Sequence, residues 1–213
     1  MTDPQSDPDI RDRLRADPNG VLAAEFSAQR ERLWRMINFR LDRTLAGRVD
    51  PDDVLQEAWL AASQRLDNFL AHEMSLFVWL RLIVGQTIID VHRRHLGAKM
   101  RDAYKEVSLN NAALSLSTSF SIAAHFLGNF TSPSKAAMRD EAARQLEDAI
   151  DGMNAVDREV LALRHFEELS NKEVAEVLNI EQKAASIRYV RALRKLKSIL
   201  EAIPGFSSLD APE

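Results

Sequence analysis

Lys183, Ser186, Ile187, Arg188, Val190, Arg191, Arg194 and Lys195 crowd into one short stretch, KAASIRYVRALRK, and most of them recur at steps of three and four. On a helix that spacing gathers cations, a hydroxyl and short apolar groups along one side. Such a mixture suits a duplex groove: the cations meet phosphates, and the hydroxyl and apolar groups meet base edges. Between Glu181 and Glu201 six cations face two carboxylates, in a chain whose net charge is −4. A solvated face whose late cations only complement the helix dipole would account for Lys195 and Lys197. It does not account for Lys183, Arg188 and Arg191.

The elements that must hold this face can be read from the residues before it. Ser170 followed by Glu173 has capping-box spacing, so a helix begins at Asn171. Val174, Ala175, Val177 and Leu178 give that helix an apolar face, and Ala175 is small where a second helix must cross closely. Asn179 ends it, because Asn readily takes the left-handed conformation at a helix C-terminus. A second helix runs from about Gln182, with Ala185, Tyr189, Ala192, Leu196 and Leu200 as its buried stripe. Two helices on so short a turn, with a basic outer face, read as a DNA-binding helix-turn-helix.

The stretch LRHFEELSNKEVAEVLNIEQKAASIRYVRALRKL closely resembles region 4 of bacterial sigma factors of the extracytoplasmic-function type, in the sigma-70 superfamily. That resemblance implies a domain that reads the minus-thirty-five promoter element. The family usually has Gly at the place of Asn179 and Gly-Thr-Val at the place of Lys183, Ala184 and Ala185. Its base-contacting positions fall on Ser186, Ile187, Val190 and Arg191; two of these are aliphatic here, which suggests contacts to thymine methyl groups.

A second chemically distinct face is acidic. Asp50 is a good N-cap, Pro51 suits the first helical position, and a helix from there to about Leu70 can bury Val54, Leu55, Ala58, Ala62, Leu66 and Phe69. Asp52, Asp53, Gln56, Glu57, Gln64 and Asp67 are left outward. By charge alone this is a solvated surface. The stretch DPDDVLQEAWLAA also resembles region 2.2 of the same family, which implies that Asp53, Gln56 and Glu57 dock on the clamp helices of the largest RNA polymerase subunit.

From Leu76 to Lys105 six cations again face two carboxylates, and the apolar first half gives way abruptly to a basic second half. Leu76, Trp79, Leu80, Ile83 and Asp90 align with the pattern of regions 2.3 and 2.4, with Gln86 replacing the usual Asn. The resemblance implies a minus-ten surface made of His72, Met74, Ser75, Gln86, Asp90, Arg93 and Arg94, in which the loop Ala71 to Ser75 receives a flipped base. Trp79, an aromatic at helical spacing in an apolar helix, reads as core. His92 and His95 stand three apart, without a carboxylate at ligand spacing, and read as lying beside Arg93 and Arg94 on the phosphate side. No metal and no cofactor is expected.

Length, composition and charge bound the rest. The 213 residues suit two small domains, and the absence of cysteine excludes disulfides and thiolate zinc sites and fits a cytoplasmic location. No signal peptide and no uncharged run of membrane-spanning length is present. No Gly-rich phosphate loop or nucleophile triad points to an enzyme.

The expected architecture is all-α: two small helical domains joined by a flexible linker. Residues 1–20 are expected to be mobile, 21–105 to form the region 2-like domain with a first helix from Val21 to Leu45, 106–135 the linker, 136–202 the region 4-like domain, and 203–213 a tail. Apolar residues at Phe120, Ile122, Phe126, Leu127 and Phe130 leave room for a short helix within that linker. The resemblance implies an initiation factor that binds core polymerase at its clamp helices and flap, joins the nucleoid with it, and directs it to promoter DNA. An anti-sigma protein is a further partner it allows. The rival reading is a stand-alone dimeric helix-turn-helix regulator, in which the acidic face would be idle.

Overall fold

An Asp-Pro pair stands at the start of three of the described helices, those beginning at Pro8, Pro18 and Pro51. Proline presets φ for the first helical position, while the preceding carboxylate accepts from an amide that the helix cannot satisfy. Asp17 accepts from the Gly20 amide at 2.9 Å and Asp50 from the Asp52 amide at 2.9 Å. The computed structural model describes residues 8–41, 45, 47–95, 118–127 and 136–203. The chain divides into two units, Met1–Ala113 and Leu114–Glu213. The described residues hold helices and no strand, as the all-α reading expects.

The first unit contains α1 (Pro8–Ala16), α2 (Pro18–Arg40), α3 (Pro51–Gln64), α4 (Leu66–Ala71) and α5 (Leu76–His95). Helices α2, α3 and α5 pack on one another. Ala58 and Ala62 are fully buried, and such small side chains let neighbouring helices approach closely. The first part of α5 is mostly apolar, and Phe77, Val78, Trp79, Leu80, Ile83, Val84 and Ile88 are all buried. Trp79 meets Phe69 at a ring separation of 5.3 Å.

Two expectations for this unit need correction. Residues 8–16 and 18–20 are helical rather than mobile: Leu14 is fully buried, and Arg11 donates to the Phe69 and Met74 carbonyls at 2.8 Å each. The helix expected over Val21 to Leu45 starts at Pro18, because Asp17 caps it, and ends at Arg40.

The second unit contains α6 (Thr118–Leu127), α7 (Ala136–Asp151), α8 (Ala155–Leu161), α9 (Asn171–Leu178) and α10 (Gln182–Ala202). Asn154 caps α8 by accepting from the Val156 and Asp157 amides. A π-helical turn, Ala162–Phe166, follows α8 and leaves Ala162, Leu163 and Phe166 buried. Helix α10 is the spine; it packs on α7, α8 and α9 and buries Ala185, Ala192, Leu196 and Ile199. Tyr189 and Leu200, expected in that stripe, are only half-buried.

The expected linker is corrected over α6, which is a packed helix. Ile122 and Ala123 are buried, Thr118 donates to Glu159 at 2.9 Å, and Ser119 donates to Asp151 at 2.6 Å. Hydroxyls read as linker composition thus answer carboxylates on α7 and α8. The remainder of that linker, the cations Lys99, Arg101 and Lys105, and the tail beyond Ile203 lie outside the described residues.

Candidate nucleic-acid interface

The helix-turn-helix is built as its residues dictate. The Ser170 hydroxyl accepts from the Glu173 amide at 3.2 Å, and the Glu173 carboxylate accepts from the Ser170 amide at 2.6 Å, closing both halves of the capping box. Asn179 takes the left-handed conformation at φ 50° and ψ 51°, and the Ile180 amide returns to the Ala175 carbonyl at 3.0 Å. The chain therefore turns within three residues, Asn179 to Glu181, and Gln182 begins α10.

On α10 the eight sequence-predicted DNA residues separate into three sets. Lys183, Ile187, Val190 and Arg194, at steps of four, three and four, form an exposed central stripe, with Lys195 also exposed. Ile187 is 58% and Val190 46% exposed, three residues apart on this stripe. Among the described residues no carboxylate pairs with Lys183, Arg194 or Lys195. Ser186 lies on one flank, where its hydroxyl accepts from the Asn171 side-chain amide of α9. Arg188 and Arg191 lie on the other flank, and both reach Asp157 of α8.

Three charge-assisted hydrogen bonds meet on that second flank. Asp157 Oδ1 accepts from Arg188 Nη1 at 2.8 Å and Arg191 Nη2 at 2.6 Å, and Oδ2 accepts from Arg191 Nε at 2.5 Å. Burial alone would push the Asp157 carboxyl up; hydrogen bonds from Arg191 and then Arg188, with their positive charge, outweigh it and hold the carboxyl below the usual range.

In the first unit the candidate residues are distributed less tightly. Asp53, Gln56 and Glu57 stand exposed on α3, together with the exposed apolar Leu60 one turn further on. Glu57 accepts from Arg94 of α5 at 2.6 Å, so a candidate polymerase contact is joined to a candidate minus-ten cation. Gln86 donates to Asp90 at 3.1 Å, and Arg93 lies 3.7 Å from the same carboxylate. His72 is exposed, with its ring bonded to the Asn68 carbonyl, and Met74 is half-buried. Ser75 is buried and its hydroxyl caps α5 at the Val78 amide, so its placement on an open surface is corrected. His92, read as facing phosphate, is 2% exposed and belongs to the interior, because α5 buries most of its circumference.

The residues that the sequence did not single out are Asp157, Asn171 and Arg11. Asp157 was legible only as an acid in the first turn of a helix, and its partners lie 31 and 34 residues away.

Residues 143–196 match the family model of sigma-70, region 4, a span that takes in the later part of α7, then α8, α9 and α10 as far as Leu196. Two curated proteins are similar over most of the chain. The RNA polymerase sigma-H factor of Pseudomonas aeruginosa is 28% identical over 155 residues, 72% of this chain and 75% of that protein. The RNA polymerase sigma factor SigZ of Bacillus subtilis is 29% identical over 176 residues, covering 80% and 86%. The solved structure of CnrH in complex with the cytosolic domain of CnrY aligns with a TM-score of 0.48 at 19% identity, over 91% of this chain and 96% of that one.

Proposed function

We propose that this chain, a sigma factor of the sigma-70 superfamily that resembles the extracytoplasmic-function type, binds RNA polymerase core and directs it to promoters by meeting DNA with both of its units. The observation that carries the reading is the exposed stripe Lys183, Ile187, Val190 and Arg194 on the second helix of a helix-turn-helix whose first helix is closed by a capping box, inside the region 4 match. Two cations provide phosphate attraction, and two aliphatic side chains suit thymine methyl groups in a major groove. Minus-thirty-five readout is assigned to this stripe, with Ser186 on its flank.

Minus-ten readout is assigned to the first unit, at His72, Met74, Gln86, Asp90, Arg93 and Arg94. Docking on the clamp helices is assigned to Asp53, Gln56 and Glu57, with a second polymerase contact at the flap. Under this reading the chain performs no chemistry itself and works in the cytoplasm, on the nucleoid; an anti-sigma protein would compete for the same faces. Among the described residues no helix is long and apolar enough to cross a membrane.

The rival, a stand-alone dimeric regulator, is not favoured by the similarity to sigma factors along most of the chain. Run-off transcription with purified core polymerase tests the proposal. Initiation at discrete start sites only when the chain is added is the expected result; no difference from core alone would overturn it.

A further inference from the structure

The turn between α4 and α5 is tied at both ends by one side chain of α1. Arg11 Nη1 donates to the Phe69 carbonyl and Nη2 to the Met74 carbonyl, each at 2.8 Å, and the guanidinium lies 4.4 Å from the Phe69 ring centroid. Helix α4 has only six residues and leaves its last carbonyls without helical partners; a cation there adds a donor and complements the negative end of the helix dipole. Because the guanidinium fork is planar and rigid, it also sets how far apart the two carbonyls stand. Helix α1 is itself anchored, with Leu14 fully buried and Arg13 paired to Glu25 of α2 at 3.5 Å. Between the two tied carbonyls Ala71, His72 and Glu73 are exposed, whereas Ser75 is buried with its hydroxyl at the Val78 amide. The turn thus presents open side chains on a backbone whose ends are held.

We infer that Arg11 is a positioning residue for minus-ten recognition: it holds the turn that carries His72 and Met74 in a receiving shape before DNA arrives. The inference rests on the reading that this turn takes up an unstacked base. Taking a base out of the stack is unfavourable, and a turn that had also to be ordered on binding would add its own cost. A turn held beforehand adds none. Arg11 acts through the two backbone carbonyls and does not itself touch the base. A lysine at this position would supply the charge as a point without the fork, so it would hold one carbonyl and not the separation of two.

The test uses the full-length chain with purified core polymerase and a fluorescent promoter duplex taken from a template that gives a discrete run-off start. Its minus-ten segment is opened by mismatches, and either strand carries an abasic site, one position at a time. In the parent, removing the base at one position is expected to weaken binding about tenfold, because the contacts of the captured base are lost. Arg11→Gln should bind the intact template about tenfold more weakly, and the same abasic site should then cost it no more than about twofold. Arg11→Lys should lie between the two. Co-elution with core polymerase should be unchanged, since Asp53, Gln56 and Glu57 are untouched.

A merely structural role would lower the melting temperature and weaken binding to every template by the same factor, leaving the abasic position as costly as in the parent. That result, or parent-like binding by Arg11→Gln, would overturn the inference. Should Arg11→Gln fail to fold, Arg11→Lys decides the matter: a partial loss of abasic sensitivity supports the inference, and full sensitivity overturns it. The underlying reading fails separately. If no abasic position weakens binding by the parent chain, the turn takes up no base, and the inference falls with that reading.

Discussion

In the N-terminal unit Arg94 meets Glu57 at 2.6 Å with side chains 52% and 44% exposed; in the C-terminal unit two arginines meet one carboxylate that is 7% exposed. The partners are chemically alike and the consequences differ. An exposed pair gives up little solvation and gains little, so it can be exchanged for another partner at small cost. A buried acid cannot be exchanged, because its solvation was surrendered when the unit folded. Glu57 can therefore serve both as a partner of Arg94 and as a docking group for polymerase. Asp157 serves only its own unit.

The largest effect expected from this contrast is on polymerase. Reversing charge with Asp53→Lys and Glu57→Lys should cut core binding by at least about a hundredfold, since like charges then face one another across an interface. Helicity should be unchanged because both positions are exposed. Undiminished co-elution with core polymerase would reduce the acidic face to a solvated surface, and the contrast with Asp157 would lose its functional meaning.

A smaller effect concerns acid. The Asp157 carboxyl is held below the value it has in the unfolded chain, so the folded state binds its proton more weakly. The stability that this provides is present above the ordinary Asp range of about pH 4 and is lost as pH falls through the depressed folded value. Thermal melts of the parent should show that acid limb, and Asp157→Asn should flatten it. An identical limb in both chains would assign it to other carboxylates.

The smallest effect is at the exposed pair. Glu57→Gln should change unfolding free energy by no more than about 1 kcal/mol, and the difference should shrink with added salt. A larger, salt-insensitive loss in denaturant titrations would mean that Glu57 is bound to its arginine as firmly as Asp157 is to its pair.

How much of this was legible depended on the distance over which each residue is decided. The two faces of the stretch from Asp50 were legible, with Val54, Leu55, Ala58, Ala62, Leu66 and Phe69 buried and Asp52, Asp53, Gln56, Glu57, Gln64 and Asp67 exposed, but the single helix expected to about Leu70 breaks at Arg65 into α3 and α4. Periodicity and caps are local, and Ser170, Glu173, Asn179 and Trp79 likewise stand where local chemistry places them. Helix α6 was legible only as room for a short helix within a linker, because its Ser, Thr and Ala residues mimic a linker and its packing depends on carboxylates of α7 and α8. The occupation of Arg188 and Arg191 escaped for the same reason. A basic face can be counted from sequence, but which cations are already engaged is decided by a helix that comes earlier in the chain.

Arg11 carries a practical corollary. Its guanidinium lies 4.4 Å from the Phe69 ring centroid and bonds the carbonyls of Phe69 and Met74, on either side of His72 and Glu73 in the turn between α4 and α5. A polar, proline-bearing N-terminus invites trimming when a protein is prepared for crystals or assays. Cutting the chain at the start of α2 would unfasten that turn while leaving every residue of the turn in place. Proteases would then find a cleavage site far from the new terminus, and a shortened protein that folds normally would still carry a loosened turn between α4 and α5.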